Sequence, residues 1–237
     1  MARCLGAASV LVFIPPVFSS PPVPKRGVAW PGHVPYTCDD AAALGLQHSW
    51  HYNWNHLPDP HGACIGSGRV SLGAEYVPMC WGAQSCTKDR LGTNYSEIWR
   101  SAGAQYLLGF NEPDGKKQSN IAPAKAAQIW PEVQAIAATA GLRLVSPAVA
   151  VFHAGTGSTW LDEFFANCSS GCQGLCMDCD PSAIEFVGIH DYGGNATKLI
   201  EVVRTVVGRC TSTACTNLVL VYSVNNLLCR PPQSVDY

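Results

Sequence analysis

The sequence predicts an α/β fold of the (β/α)8 TIM-barrel type, truncated after its seventh strand, and three observations carry that expectation. Apolar, β-branched runs begin at Arg26, Trp50, Glu75, Gln105, Arg143, Ile184 and Asn217, at intervals of 24 to 41 residues. Sandwich strands recur roughly every 8–12 residues, whereas a strand with its crossover helix and loops needs about 30, so the rhythm is βα. Helix-like stretches lie between the runs. Almost every run ends in polar or aromatic residues: Trp30, Asn53-Trp54, Trp81, Asn111-Glu112 and His190-Asp191-Tyr192. Strand ends of that type at one mouth are what a barrel needs to build a site. A doubly wound nucleotide-binding sheet would instead carry G-x-G-x-x-G after its first strand. Here the first run ends in Trp30-Pro31-Gly32, and Gly66-Ser67-Gly68 and Gly155-Thr156-Gly157 lack the third glycine.

Taken in chain order, Met1-Ala2-Arg3 is a basic start, Cys4 to Phe18 a short apolar run, and Ser19-Ser20 a pair of small residues. That is the order of a secretory leader, so residues 1–19 are expected to be a signal peptide cut near Ser19. The run is too short to span a membrane as a helix, and Pro15-Pro16 would break it. Residues 25–224 then form the incomplete barrel domain. Its clearest helix is Pro123 to Ala140, where Ala126, Ile129, Trp130, Val133 and Ala137 recur at helical spacing, with Pro123 near the start and Gly141 just past the end. Glu97 to Ala104 and Lys198 to Val207 read the same way. Residues 225–237 form an atypical tail, with neither the pattern nor the length of an eighth βα unit.

Composition narrows the partners. The chain has 237 residues, 47% of them hydrophobic, only 14% charged, with a net charge of -2. It buries enough to fold as one domain, is expected to be a monomer, and has no basic face for nucleic acid. Twelve cysteines suit an oxidising compartment, hence an extracellular or cell-wall location, and sequons at Asn94, Asn167 and Asn195 agree with it. Losing Cys4 with the leader leaves an odd number, and Cys229 in the tail is the suspect without a partner. Cys168, Cys172, Cys176 and Cys179 read as two or more disulfides in the loop before the sixth strand, not as a zinc site. His48, His51, His56 and His61 fit no metal-ligand spacing, and no metal or cofactor is expected.

Glu112 is the residue most suited to chemistry. It stops the run Tyr106 to Phe110, and Pro113 after it favours an extended backbone that projects the carboxylate from a strand end. Glycoside hydrolysis needs such an acid to protonate the leaving oxygen, and a second carboxylate to attack the sugar or activate water. Asn111 beside it suits the sugar 2-hydroxyl. Trp30, Trp54, Trp81, Trp160 and Tyr192 fall at or just after strand ends, where their faces would stack on sugar rings, with Asn53 and His190 as polar walls. No G-x-S-x-G follows a strand, so a serine hydrolase is not supported.

The segments Lys25 to Trp30, Tyr52-Asn53-Trp54, Glu75 to Gly82, Leu107 to Asp114, Gln118-Ser119-Asn120, Ser146-Pro147-Ala148, Trp160-Leu161 and Ile189 to Tyr192 carry a resemblance. In that order they resemble the glycosyl hydrolases related to the alkali-sensitive linkage protein, glycoside hydrolase family 128, whose members are endo-β-1,3-glucanases. The resemblance implies a (β/α)8 barrel, retaining hydrolysis of cell-wall β-1,3-glucan, Glu112 as acid/base and Asn111 beside it. It also implies a nucleophilic glutamate ending the seventh strand. In Leu220 to Val224 that position is occupied by Ser223. Two readings therefore stand: a secreted glycoside hydrolase whose turnover is impaired, or a non-catalytic glucan-binding, wall-associated protein.

Overall fold

The computed structural model of the chain describes residues 9–14, 27–29, 50–58, 75–150, 156–169, 179–191 and 217–223, with Ala43 and Thr197 besides. Its strands are β1 (Ser9–Ile14), β2 (Gly27–Ala29), β3 (Trp50–Tyr52), β4 (Glu75–Tyr76), β5 (Tyr106–Leu107), β6 (Arg143–Val145), β7 (Val149–Ala150), β8 (Ile184–Asp191) and β9 (Asn217–Ser223). All seven expected runs supply a strand. β7 is an addition, and β1 comes from the segment read as a leader. The helices are α1 (Lys88–Leu91), α2 (Tyr95–Ser101), α3 (Pro123–Ala140) and α4 (Thr156–Ser169), followed by a 3-10 turn at Pro181–Ala183. The expected helix at Lys198 to Val207 and the tail at 225–237 lie outside the described residues.

α3 has the bounds its sequence signals. Pro123 opens it, where the missing N–H costs nothing, and Gly141 closes it at φ 70°, a left-handed position suited to glycine. α2 begins two residues earlier than expected, after Asn94.

The strands run parallel in sequence order. β2, β3 and β4 form one sheet; β5, β6, β8 and β9 form another, with β7 beside β8. The two are joined at a parallel bridge between Met79 and Leu108, where Cys80 N–H donates to Leu108 O at 2.9 Å and Leu108 N–H to Pro78 O at 2.9 Å. Among the described residues the order from β2 to β9 never reverses, so they show no switch point of the doubly wound kind. β1 is the exception, running antiparallel along β9 with Ser9 opposite Ser223 and Ile14 opposite Leu218.

Both sheet faces are covered, as parallel sheets require. One face packs Leu107, Phe110, Leu144, Val149 and Ile184 against Trp99 of α2, Trp130 and Val133 of α3, and Phe164 of α4. The other gathers Ala29, Trp50, Tyr52, Met79, Leu108, Val145 and Phe186. Leu107 and Leu108 go to opposite faces by the two-residue period of a strand. Near the start of the strands, Arg143 pairs with Glu185 at 2.7 Å and lies 4.5 Å over the Phe186 ring. The pair is well exposed and contributes little by itself.

Candidate active site

Parallel strands all finish at one edge, so the ends of β3, β4, β5 and β8 bring Trp54, Trp81, Asn111, Glu112 and His190 to that side of the sheet. Backbone bonds tie these ends together. Asn111 N–H donates to Trp81 O at 2.9 Å, Ala148 N–H to Phe110 O at 2.8 Å, and Glu112 N–H to Ala148 O at 2.7 Å. Ala150 stands in register with His190.

Glu112 is 4% exposed, and its Oε1 lies 2.7 Å from His190 Nδ1, itself in a side chain 2% exposed. One proton lies in this contact: the carboxyl donates to a bare ring nitrogen, or a ring N–H donates to Glu112 Oε1. His190, expected as a wall for substrate, is thus the partner of the acid. The backbone at Glu112 is not extended, contrary to the expectation drawn from Pro113. Its φ is 42°, in the left-handed region. Two hydrogen bonds override the preference before proline: the N–H bond to Ala148, and the Glu112 carbonyl accepting Gly115 N–H at 2.8 Å to close a tight turn. Asp114 Oδ1 accepts Ala150 N–H at 3.2 Å on the far side of that turn. Strain of this kind persists where the surroundings over-determine the geometry, and it aims the side chain.

Trp54 shares the feature, with φ 57° in a bulky residue, half-buried and edge-on to Tyr52 at 5.0 Å. Trp81, also half-buried, sits inside the ring closed by the Cys80–Cys86 disulfide. Asn53 is used differently from the expectation. Its Nδ2 donates to Leu57 O at 2.8 Å, and its Oδ1 accepts Asn55 N–H at 3.1 Å and the Tyr76 hydroxyl at 3.0 Å. With its amide engaged at both ends, Asn53 braces the loop that carries Trp54. Trp160 does not reach the edge: it lies in α4, buried, stacked on Phe164 at 5.5 Å and donating to Ile121 O at 2.8 Å. Trp30 and Tyr192 lie outside the described residues, and Ser223 is described only as the last residue of β9.

His51 belongs to the packing. Burial pushes its pKa down to about 4, a backbone hydrogen bond to Glu75 opposing, so the ring is neutral near pH 7. It packs on Tyr76 at 5.3 Å. Burial chiefly, and then Arg90, also lowers the His56 pKa. His48 and His61 lie outside the described residues. Among the described residues no group of three His, Cys, Asp or Glu could hold a metal ion. Of the four clustered cysteines, Cys168 pairs with Cys179; Cys172 and Cys176 are outside the described residues, as is Cys229.

Three residues given no role from the sequence, Ser146, Gly109 and Gly188, position Glu112. Ser146, fully buried, accepts Gly188 N–H at 2.9 Å through its hydroxyl, which donates to Pro147 O at 2.9 Å. A β carbon on Gly109 would meet the Ser146 and Pro147 backbone at 2.7 Å, and one on Gly188 would meet Ser146 O at 3.3 Å. The two glycines let the Ser146-Pro147-Ala148 strap pass close, and Ala148 holds Glu112. An isolated glycine inside an apolar run was the available signal.

A buried Asn-Glu pair with a histidine on the glutamate stands at the C-terminal edge of the parallel strands, the edge at which enzymes built on such sheets carry their sites. The chain belongs to the glycosyl hydrolase catalytic core family, whose profile matches residues 27–214, and within it to glycoside hydrolase family 128. It is similar to a subgroup II endo-β-1,3-glucanase from Sorangium cellulosum at 34% identity and TM-score 0.57, over 76% of this chain and 69% of that one. A second subgroup II endo-β-1,3-glucanase, from Pseudomonas viridiflava, is 30% identical with TM-score 0.57, over 77% and 67% of the two chains. A subgroup I endo-β-1,3-glucanase from Amycolatopsis mediterranei, a mutant solved with laminaripentaose, is 31% identical with TM-score 0.53, over 77% and 66%. The chain thus spans about two thirds of these relatives' length. A comparison with curated protein sequences finds no match.

Proposed function

We propose that the site takes β-1,3-glucan, with Glu112 as the proton donor to the leaving oxygen. The observation that carries this is the buried Glu112–His190 contact of 2.7 Å at the strand ends. With the transferable proton on Glu112 Oε2 and the His190 Nδ1–H donating to Oε1, the carboxylate left after transfer to the leaving oxygen keeps the Nδ1–H bond, so the new charge is not left bare. The relatives named above as glucanases support the substrate class. Trp54 and Trp81 offer the aromatic faces, and Asn111 the amide for a sugar hydroxyl.

The sheet is read as a barrel because its strand order follows the chain from β2 to β9, with parallel strands throughout and the two sheets bridged at Met79 and Leu108. Secretion as a monomer to the cell exterior or wall is proposed from the Cys80–Cys86 and Cys168–Cys179 disulfides, with residues 1–19 as leader. Retaining chemistry would need a second carboxylate about 5 Å from the first. Ser223 ends β9, the strand beside that of His190, where the family has its nucleophile. A serine there favours the second reading, glucan binding without turnover. Purified chain incubated with soluble laminarin and insoluble β-1,3-glucan tests both readings. Oligosaccharide release establishes hydrolysis, sedimentation with the polymer without release establishes binding alone, and neither refutes the substrate class. A gain of hydrolysis in Ser223→Glu would assign the defect to the missing carboxylate.

A further inference from the structure

We propose that Gln118 is a positioning residue that sets the orientation of the Asn111 amide by accepting its Nδ2 proton, and so turns the Asn111 carbonyl oxygen to the sugar. The inference rests on the glucan reading above. Gln118-Ser119-Asn120 stood out in the sequence without a role, and the structure gives these residues one. Asn111 is 3% exposed, and its Nδ2 donates to Gln118 Oε1 at 3.1 Å. Its Oδ1 is buried and has no hydrogen-bond partner among the described residues. A buried acceptor without a donor is unfavourable, and a sugar hydroxyl is the donor that would satisfy it.

The chain between Asn111 and Gln118 is folded to make this contact. Gly115 N–H donates to Glu112 O at 2.8 Å, Gln118 N–H to Gly115 O at 2.9 Å, Ser119 N–H to Asn111 O at 3.2 Å and Ile121 N–H to Pro113 O at 3.0 Å. Asn120, with φ 46°, turns the chain out of the loop. A β carbon on Gly115 would lie 3.0 Å from Gln118 Cγ, so glycine there leaves room for the side chain. An amide is nearly symmetric in shape but not in chemistry, one end donating and the other accepting. Without Gln118 the Asn111 side chain could present either end to the sugar.

The test uses the full chain with Gln118→Met, which keeps length and removes the acceptor, and Gln118→Glu, which keeps an acceptor. Two readouts are taken: laminaripentaose affinity by calorimetry, and hydrogen exchange of the Asn111 side-chain amide by NMR. Gln118→Met is expected to bind about fivefold more weakly and to exchange the Asn111 amide faster, whereas Gln118→Glu keeps most of both. In an Asn111→Ala background Gln118→Met should change affinity no further. Wild-type affinity with unchanged amide exchange in Gln118→Met overturns the proposal, and so does an equal loss in the Asn111→Ala background. If wild type fails to bind laminaripentaose, the glucan reading falls, and the amide exchange alone decides the role of Gln118.

Discussion

Gly109→Ala puts the architecture of the site under direct strain. The added β carbon would sit 2.7 Å from Pro147 N and from Ser146 C and O, where an ordinary contact begins at 3.4 Å. The shortfall of about 0.7 Å is against backbone on both sides, so no side-chain rotation relieves it. β5 and the Ser146-Pro147-Ala148 strap must part, stretching the Ala148–Phe110 bond of 2.8 Å and the Glu112–Ala148 bond of 2.7 Å. Overpacking costs about 1–3 kcal/mol, and weakening two hydrogen bonds adds a fraction of about 1 kcal/mol each, for a total of roughly 3 kcal/mol. For a chain of this size that lowers Tm by roughly 6–12 °C, read by circular dichroism. The control is Gly82→Ala, whose β carbon would meet Ser119 Cβ at an ordinary 3.4 Å and which should stay within about 0.5 kcal/mol of wild type. A Gly109→Ala chain that melts with the control would refute the close passage of the strap.

His51 makes stability depend on pH. Its folded pKa of about 4 lies below the ordinary 6.5, so below pH 6.5 the unfolded chain binds a proton that the folded one refuses. Stability is therefore full above pH 6.5 and falls on acidification, by about 2 kcal/mol at pH 5; urea midpoints should record this, and His51→Phe should flatten that part of the curve. His190→Ala removes the partner of Glu112 and should cost about 2 kcal/mol in denaturant unfolding, with part recovered by His190→Asn; an unchanged midpoint would mean that the contact stabilises nothing. Deleting residues 1–20 removes the proposed leader, so the chain should stay monomeric by light scattering with an unchanged Tm. Self-association with a lowered Tm would show that Ser9–Ile14 serves as the strand covering the β9 edge and not as a leader.

Local patterns settled much of this protein. The starts of seven strands to within a residue, both ends of α3 and the Asn111-Glu112 pair at a strand end follow from periodicity, from Pro123 and Gly141, and from where apolar runs stop, all features carried within a few residues. What the local pattern left open was partnership across the chain. His190 and Glu112 are 78 residues apart, and Ala150 and Asp114 are 36 apart, so neither the acid's partner nor the φ of 42° at Glu112 is written in its neighbours. The same holds for Asn53, which looks like a displayed amide in the sequence and becomes a brace once Tyr76 and Leu57 close on it. Trp160 reads as a rim aromatic until α4 turns it onto Phe164. Hydrophobic spacing reports which side of an element is buried. It does not report which distant donor, acceptor or backbone that side will meet, and at this site those meetings aim the acid.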